Sequence, residues 1–232
     1  MRTLKLALVA AVGSLALAGA AHAEDEAFKL AFNVGANTDY VFRGVSQTDE
    51  DPSVFGGIDA TIGSIGYAGV WVSNVDFGNG TDAEFDLYAG IKPVVGPVTF
   101  DIGVLYYGYV DQPSGSNEDY WEGKVTASVA AGPATLGAAF FYSPSFFGKT
   151  GDATYYEVNG ALPIGDTKFT ISGALGYQQV KGPADYTTWN LGVGYALTDH
   201  IGLDVRYFDT DEHKAGGPLY DSRVVGGIKL VW

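Results

Sequence analysis

From residue 27 to the C-terminus the chain repeats one pattern: apolar side chains at every second position, with the charges confined to the positions between. Phe28, Leu30, Phe32 and Val34 begin the series, Val98, Phe100, Ile102, Val104 and Tyr106 continue it, as do Phe169, Ile171, Leu175 and Tyr177, and Val224, Ile228, Leu230 and Trp232 end it. A period of two places neighbouring side chains on opposite faces of an extended backbone, so these stretches read as strands with one apolar face. Turn residues divide them into twelve strands, near residues 27–43, 52–62, 67–74, 83–92, 98–109, 120–130, 134–142, 154–162, 168–179, 187–197, 201–208 and 220–232. The strand charges test the pattern. Asp39, Asp59, Glu84, Asp86, Asp101, Glu122, Glu157, Asp204 and Asp221, together with Lys29, Arg43, Lys92, Lys124, Lys168, Arg206, Arg223 and Lys229, all have the parity opposite to their strand's apolar face.

Five short turns, such as Gly63–Gly66 and Ala131–Pro133, alternate with six longer polar loops near 44–51, 75–82, 110–119, 143–153, 180–186 and 209–219. This closes an up-and-down antiparallel meander of about twelve strands with both termini on the short-turn side. Alternation alone does not say which face points outward, because a soluble barrel turns its charges to water and an outer-membrane barrel does the reverse. Three features favour the membrane. Tyr40, Phe42, Tyr106, Trp121, Tyr142, Tyr156, Tyr177, Trp189, Tyr207 and Tyr220 sit on the apolar face near the long loops, and Phe28, Phe100, Phe169, Tyr195 and Trp232 near the short turns, as two interfacial girdles would. The short-turn and long-loop asymmetry matches the periplasmic and extracellular ends of such barrels. The last residue, Trp232, is an aromatic on the apolar face.

The N-terminus is a separate segment. Arg2 and Lys5 precede an apolar run to about Ala20 and an Ala21-His22-Ala23 cleavage pattern, which reads as a secretory signal peptide over residues 1–23, with the barrel over 24–232. Cleavage after Ala23 removes two basic residues and moves the net charge from −14 to −16. Nucleic acid is an unsuitable partner for such a chain, since binding it requires basic patches. The absence of cysteine excludes disulfides, thiolate metal sites and cysteine nucleophiles. Only 17% of residues are charged, as expected if one whole face of the sheet excludes ions.

The stretch FNVGANTDYVFRGVSQTDEDPSVFGGID, Phe32 to Asp59, with GVWVSNVDFG from Gly69 and AEFDLYAGIKP from Ala83, resembles the TorF-type porin family of proteobacterial outer-membrane proteins, also known as Gcw_chp. The NTDYVFRGVSQT block is the more specific part. The resemblance implies an outer-membrane barrel acting as a pore, with no established substrate and no catalytic site.

Candidate functional residues are those on the charged face. Asn37, Asp39 and Arg43 share it, with Asp39 and Arg43 about 13 Å apart on one wall at roughly 3.3 Å per residue. With Asp59, Glu84, Asp86, Asp101, Glu122, Lys124, Glu157, Asp204, Arg206, Asp221 and Arg223 they are the candidates for the pore lining and its constriction. Asp39 and Arg43 either set a transverse field across the pore or pair with Arg206, Asp204, Arg223 or Asp221 near the seam between the first and last strands. Lumen-face glycines, among them Gly35, Gly57, Gly90, Gly103, Gly137, Gly192, Gly194 and Gly227, leave volume open in this reading. Tyr88, Tyr107, Phe141 and Tyr155 line a path or fill it.

Outer loops carry thirteen acids against Lys149, Lys181 and Lys214, a net of −10. An acidic mouth concentrates cations within a screening distance of roughly 8–10 Å, so weak cation preference is expected, although such acids also solvate loops or bridge lipopolysaccharide through divalent ions. No metal or cofactor site is expected: the DEDP and DTDEH segments lack the spacing of a calcium loop, and His200 and His213 lie at opposite ends. No catalytic residue is expected either, for no G-x-S-x-G elbow accompanies His213. The sequence reading is therefore an outer-membrane porin-like channel of a Gram-negative bacterium, passing small hydrophilic solutes. Its partners are membrane lipid, lipopolysaccharide and, through Trp232, the barrel-assembly machinery. A plugged structural or adhesive barrel and a soluble secreted binding barrel are the alternatives.

Overall fold

The computed structural model describes residues 28–181 and 185–232. The signal-peptide segment and the middle of the fifth loop lie outside them. Twelve long strands follow one another: β1 Phe28–Asn37, β2 Ser53–Ile62, β3 Gly66–Asn74, β4 Ala83–Ile91, β5 Val98–Val110, β6 Tyr120–Ala131, β7 Ala134–Ser143, β8 Ala153–Pro163, β9 Phe169–Val180, β10 Tyr186–Ala196, β11 Ile201–Thr210 and β12 Arg223–Val231. Each pairs antiparallel with its sequence neighbours, and β1 pairs with β12 through Asn33↔Val231 to Asn37↔Gly227, so the sheet closes into a barrel without an edge. Closure lets every strand amide find a partner inside hydrocarbon.

The apolar face is outside. Phe28, Leu30, Val104, Val158, Leu175, Leu191, Val205 and Ile228 are all exposed, whereas Glu84, Glu122, Gln178 and Arg206 on the alternate parity are buried. Aromatics meet in pairs on the outer surface, Tyr106 with Trp121 and Phe140 with Tyr156 toward the long loops, and Phe169 with Tyr195 toward the short turns. The short turns and the described ends of the barrel lie together, as the alternation of connection lengths requires.

Three expectations are corrected. β1 ends at Asn37 rather than near 43, and residues 38–52 turn into the barrel, forming a small hairpin of Val41–Phe42 against Val45–Ser46. Arg43 and Gly44 make its turn with positive φ values of 48° and 86°. A side chain at position 44 would strike Thr188 and Thr210 on the wall, so the left-handed backbone and the close approach both require glycine. Second, Tyr40 and Phe42 are consequently not girdle residues: Tyr40 is buried among Leu105, Tyr107, Tyr109 and Tyr120, with Phe42 packed against the same cluster. Third, β12 begins at Arg223, so Tyr220 lies in the short helical turn Pro218–Tyr220, and Asp221 is exposed in the loop rather than on the lumen wall.

Most glycines on the inner face do not stand open, Gly194 being an exception with nothing nearer than 3.7 Å to a would-be Cβ. A Cβ at Gly69 would fall 2.4 Å from the Tyr88 ring, at Gly35 2.4 Å from Phe55, and at Gly90 2.4 Å from the Tyr67 hydroxyl. The wall is flat at these points so that a neighbouring strand's long side chain can lie along it, which fills lumen volume instead of leaving it.

Candidate functional site

Inward side chains form two tiers. The outer tier, toward the long loops, is packed around the inserted hairpin. Arg43 is at its centre: Nη1 donates to Glu122 Oε1 at 2.9 Å and to Gln178 Oε1 at 2.9 Å, and Nη2 donates to Glu122 Oε2 at 2.6 Å. Its guanidinium carbon lies 4.7, 4.9 and 4.4 Å from the ring centroids of Phe42, Phe141 and Tyr155. Such a buried, two-pronged pair with aromatic faces around it is the geometry a guanidinium fits best. Glu84 accepts from the Tyr40 hydroxyl at 2.7 Å, and Tyr107 donates to Glu122 at 3.1 Å. Asp86 lies between them with its Oδ1 buried and without a hydrogen bond.

The base of the insert is fastened to the last strand. Arg223 donates to Asp39 at 2.9 Å, and Asp39 also accepts from Ser46 and Thr48 at 2.8 and 3.0 Å. Val41 packs between Phe208 and Val225. Asp39 thus takes one of the partners expected for it, whereas Arg43 reaches across the lumen to Glu122 on β6. The two do not share a wall.

The inner tier, toward the short turns, is half-buried at Asp59, Asp101, Lys124, Glu157 and Asp204, with Asn33, Ser172 and Arg206 buried among them. Lys124 donates to Asp101 at 3.0 Å, Tyr67 donates to the same carboxylate at 2.6 Å, and Tyr88 donates to Asp59 at 2.6 Å. Asn33 reaches Asp59 at 3.4 Å, and the Lys92 and Lys124 ammonium groups sit 4.8 and 5.3 Å from the Tyr67 ring. On the facing wall Arg206 binds Asp204, Asn190 and Ser172, and Glu157 holds Tyr155 and Asn159. Asn37 closes β1, beside Gly227.

Every strand-borne candidate except Asp221 therefore lies inside, but in two groups separated along the axis. Gln178, Tyr67 and Ser172 are not singled out from the sequence, and Tyr40 is placed in the outer girdle instead. Gln178 is legible from its parity, which it shares with Thr170 and Ser172, opposite the apolar Phe169, Ile171, Leu175 and Tyr177. Among the described residues no group of three His, Cys, Asp or Glu side chains could hold a metal ion. His213 hydrogen-bonds with Asp209 at 2.8 Å.

The Gcw_chp family, described as a bacterial protein of unknown function, matches residues 21–224. No curated protein matches the chain in sequence. Solved structures do match in fold. The KdgM porin superposes with a TM-score of 0.60 at 11% identity over 86% of this chain and 98% of its own. That porin has also been solved in complex with disordered oligogalacturonate. The COG4313 outer membrane channel from Pseudomonas putida F1 gives a TM-score of 0.54 at 10% identity, covering 88% of this chain and 95% of its own. The fold is that of bacterial outer-membrane porins.

Proposed function

Because the chain belongs to the Gcw_chp family and folds as a porin-like outer-membrane barrel, we propose that it is a channel for passive diffusion of small hydrophilic solutes and ions across the outer membrane of a Gram-negative bacterium. The observation that carries this is the lumen itself. A barrel needs an apolar exterior to sit in lipid, but it does not need Asp59, Asp101, Lys124, Glu157, Asp204 and Arg206 inside, where each must be paired or solvated. A charged, half-buried inner tier suits water and ions. With net −10 in the outer loops, the preference is weakly for cations. Catalysis has no part in this reading: His213 is an exposed loop residue beside Asp209. Lipid and lipopolysaccharide surround the wall, and the assembly machinery reads the strand that ends at Trp232.

One observation favours a narrower reading. The insert and the rings around it seal the outer tier, so the resting barrel passes little, and flow depends on movement of residues 38–52. Planar-bilayer recording of the refolded protein across a potassium chloride gradient tests both. A reversal potential of the sign for cations is expected, with small, intermittent conductance. A potential favouring chloride would overturn the cation preference, and silence even after the insert is removed would leave a structural barrel.

A further inference from the structure

We propose that the outer tier of the barrel wall is a binding site for a flat, guanidinium-type cationic solute, and that Arg43 is its built-in occupant. The inference deepens the channel reading above and rests on it for its meaning in transport.

Four wall residues make the site without help from the insert. Glu122 on β6 offers both carboxylate oxygens, Gln178 on β9 offers its amide oxygen, and Phe141 on β7 and Tyr155 on β8 offer ring faces. Glu122, Gln178 and Tyr155 are held independently of Arg43. Glu122 accepts from Tyr107 of β5. Gln178 donates to the carbonyls of Thr154 and Gln179, both at 3.2 Å, which turns its oxygen toward the lumen. Tyr155 donates to Glu157, and its ring lies in the space left by Gly176. The cage is therefore part of the wall and persists when its occupant leaves, which is what pre-organised recognition requires.

Its chemistry is specific. Two parallel acceptors on one carboxylate match the fork of a guanidinium, and ring faces match a planar delocalised cation. A compact ammonium ion fits neither feature as well.

The occupant is presented rather than built in as wall. Arg43 holds a left-handed backbone, φ 48°, that non-glycine residues adopt at a cost. Among the described residues, backbone-to-backbone hydrogen bonds from the insert to its surroundings are few: Thr38 N–H to Gly226 O at 2.9 Å and Asp76 N–H to Gln47 O at 2.8 Å. The insert's base is anchored by Arg223–Asp39 and by Val41, whereas the Arg43 guanidinium itself is held by the cage, and an arriving cation of the same shape offers the cage the same contacts. The acidic loops above supply such cations at raised local concentration.

The test uses the refolded full barrel, with methylguanidinium as probe and methylammonium as control, followed by calorimetric titration. Arg43→Ala is expected to bind methylguanidinium saturably, and Arg43→Ala/Glu122→Gln about tenfold or more weakly, the loss expected for a charge-assisted hydrogen-bonded pair. Wild type, in which Arg43 competes for the cage, is expected to bind methylguanidinium more weakly than Arg43→Ala. Equal binding by both variants, no binding by Arg43→Ala, or equal binding by wild type would each overturn the proposal. If Arg43→Ala does not refold alone, refolding restored by methylguanidinium and not by methylammonium supports the site, and restoration by neither overturns it. Bilayer recordings on the same proteins separate the two readings: binding without conductance in any variant removes the channel and leaves the site, whereas conductance without binding does the opposite.

Discussion

The Arg43–Glu122 ion pair inside this barrel is deeply buried, its side chains 6% and 2% exposed. Removing either partner alone leaves the other's charge buried and unpaired, which Arg43→Ala/Glu122→Gln avoids by neutralising both. A pair at the surface behaves differently. His213, on the helical turn His213–Gly216, sits 2.8 Å from Asp209, and that hydrogen bond raises the imidazole above its ordinary value of 6.5. A group raised on folding contributes stability that is complete below the unfolded value and is lost as pH rises through the folded one. An NMR titration of the His213 ring should therefore show a midpoint above 6.5 that falls in Asp209→Asn. A midpoint unmoved by that substitution would remove the carboxylate as the cause.

Individual strands show how a glycine-rich wall gains shape. Gly69 on β3 lies under the ring of Tyr88 on β4, whose hydroxyl binds Asp59 on β2, so one residue's missing side chain ties three strands together. Gly69→Val should expel the ring and cost about 1–3 kcal/mol as an overpacked site, read from urea unfolding in lipid vesicles. Gly123, with nothing within 4 Å of its would-be Cβ, should accept the same change with little loss. Most of these strands were legible beforehand, because lipid on one side and polar lumen on the other force a strict period of two. The insert was not. Residues 37–43 continue the alternation of β1, and parity is blind to a chain that bends inward. The signal was Val41, an apolar residue on the charged parity, followed by Gly44: it is buried at 2% exposure against Phe208 and Val225. For the same reason parity found the lumen charges but not their partners, since Arg43 meets Glu122 across the lumen and sequence spacing carries no cross-barrel distance.

As a whole, the molecule is stabilised by a solvent arrangement inverted from that of soluble barrels. Val158, midway along β8, is 57% exposed on the outer face. Val158→Lys should destabilise the folded barrel by roughly 2–4 kcal/mol in vesicles, as a charge at the bilayer midplane does. Asn159→Lys, one residue on and facing the lumen beside Glu157, should cost far less. Equal costs would mean that the outer face does not meet lipid.

The seam between the first and last strands has a consequence for how the molecule comes into being. The insert's base is bound to β12 by Arg223–Asp39 and Thr38–Gly226, contacts 184 and 188 residues apart in sequence. None can form before the final strand has arrived. Contacts of such separation are the slow ones in folding. The insert's contacts to β4 and β6, Tyr40–Glu84 and Arg43–Glu122, have partners much earlier in the chain, so its tip can find its seat first and its base is fastened last, when the ring closes.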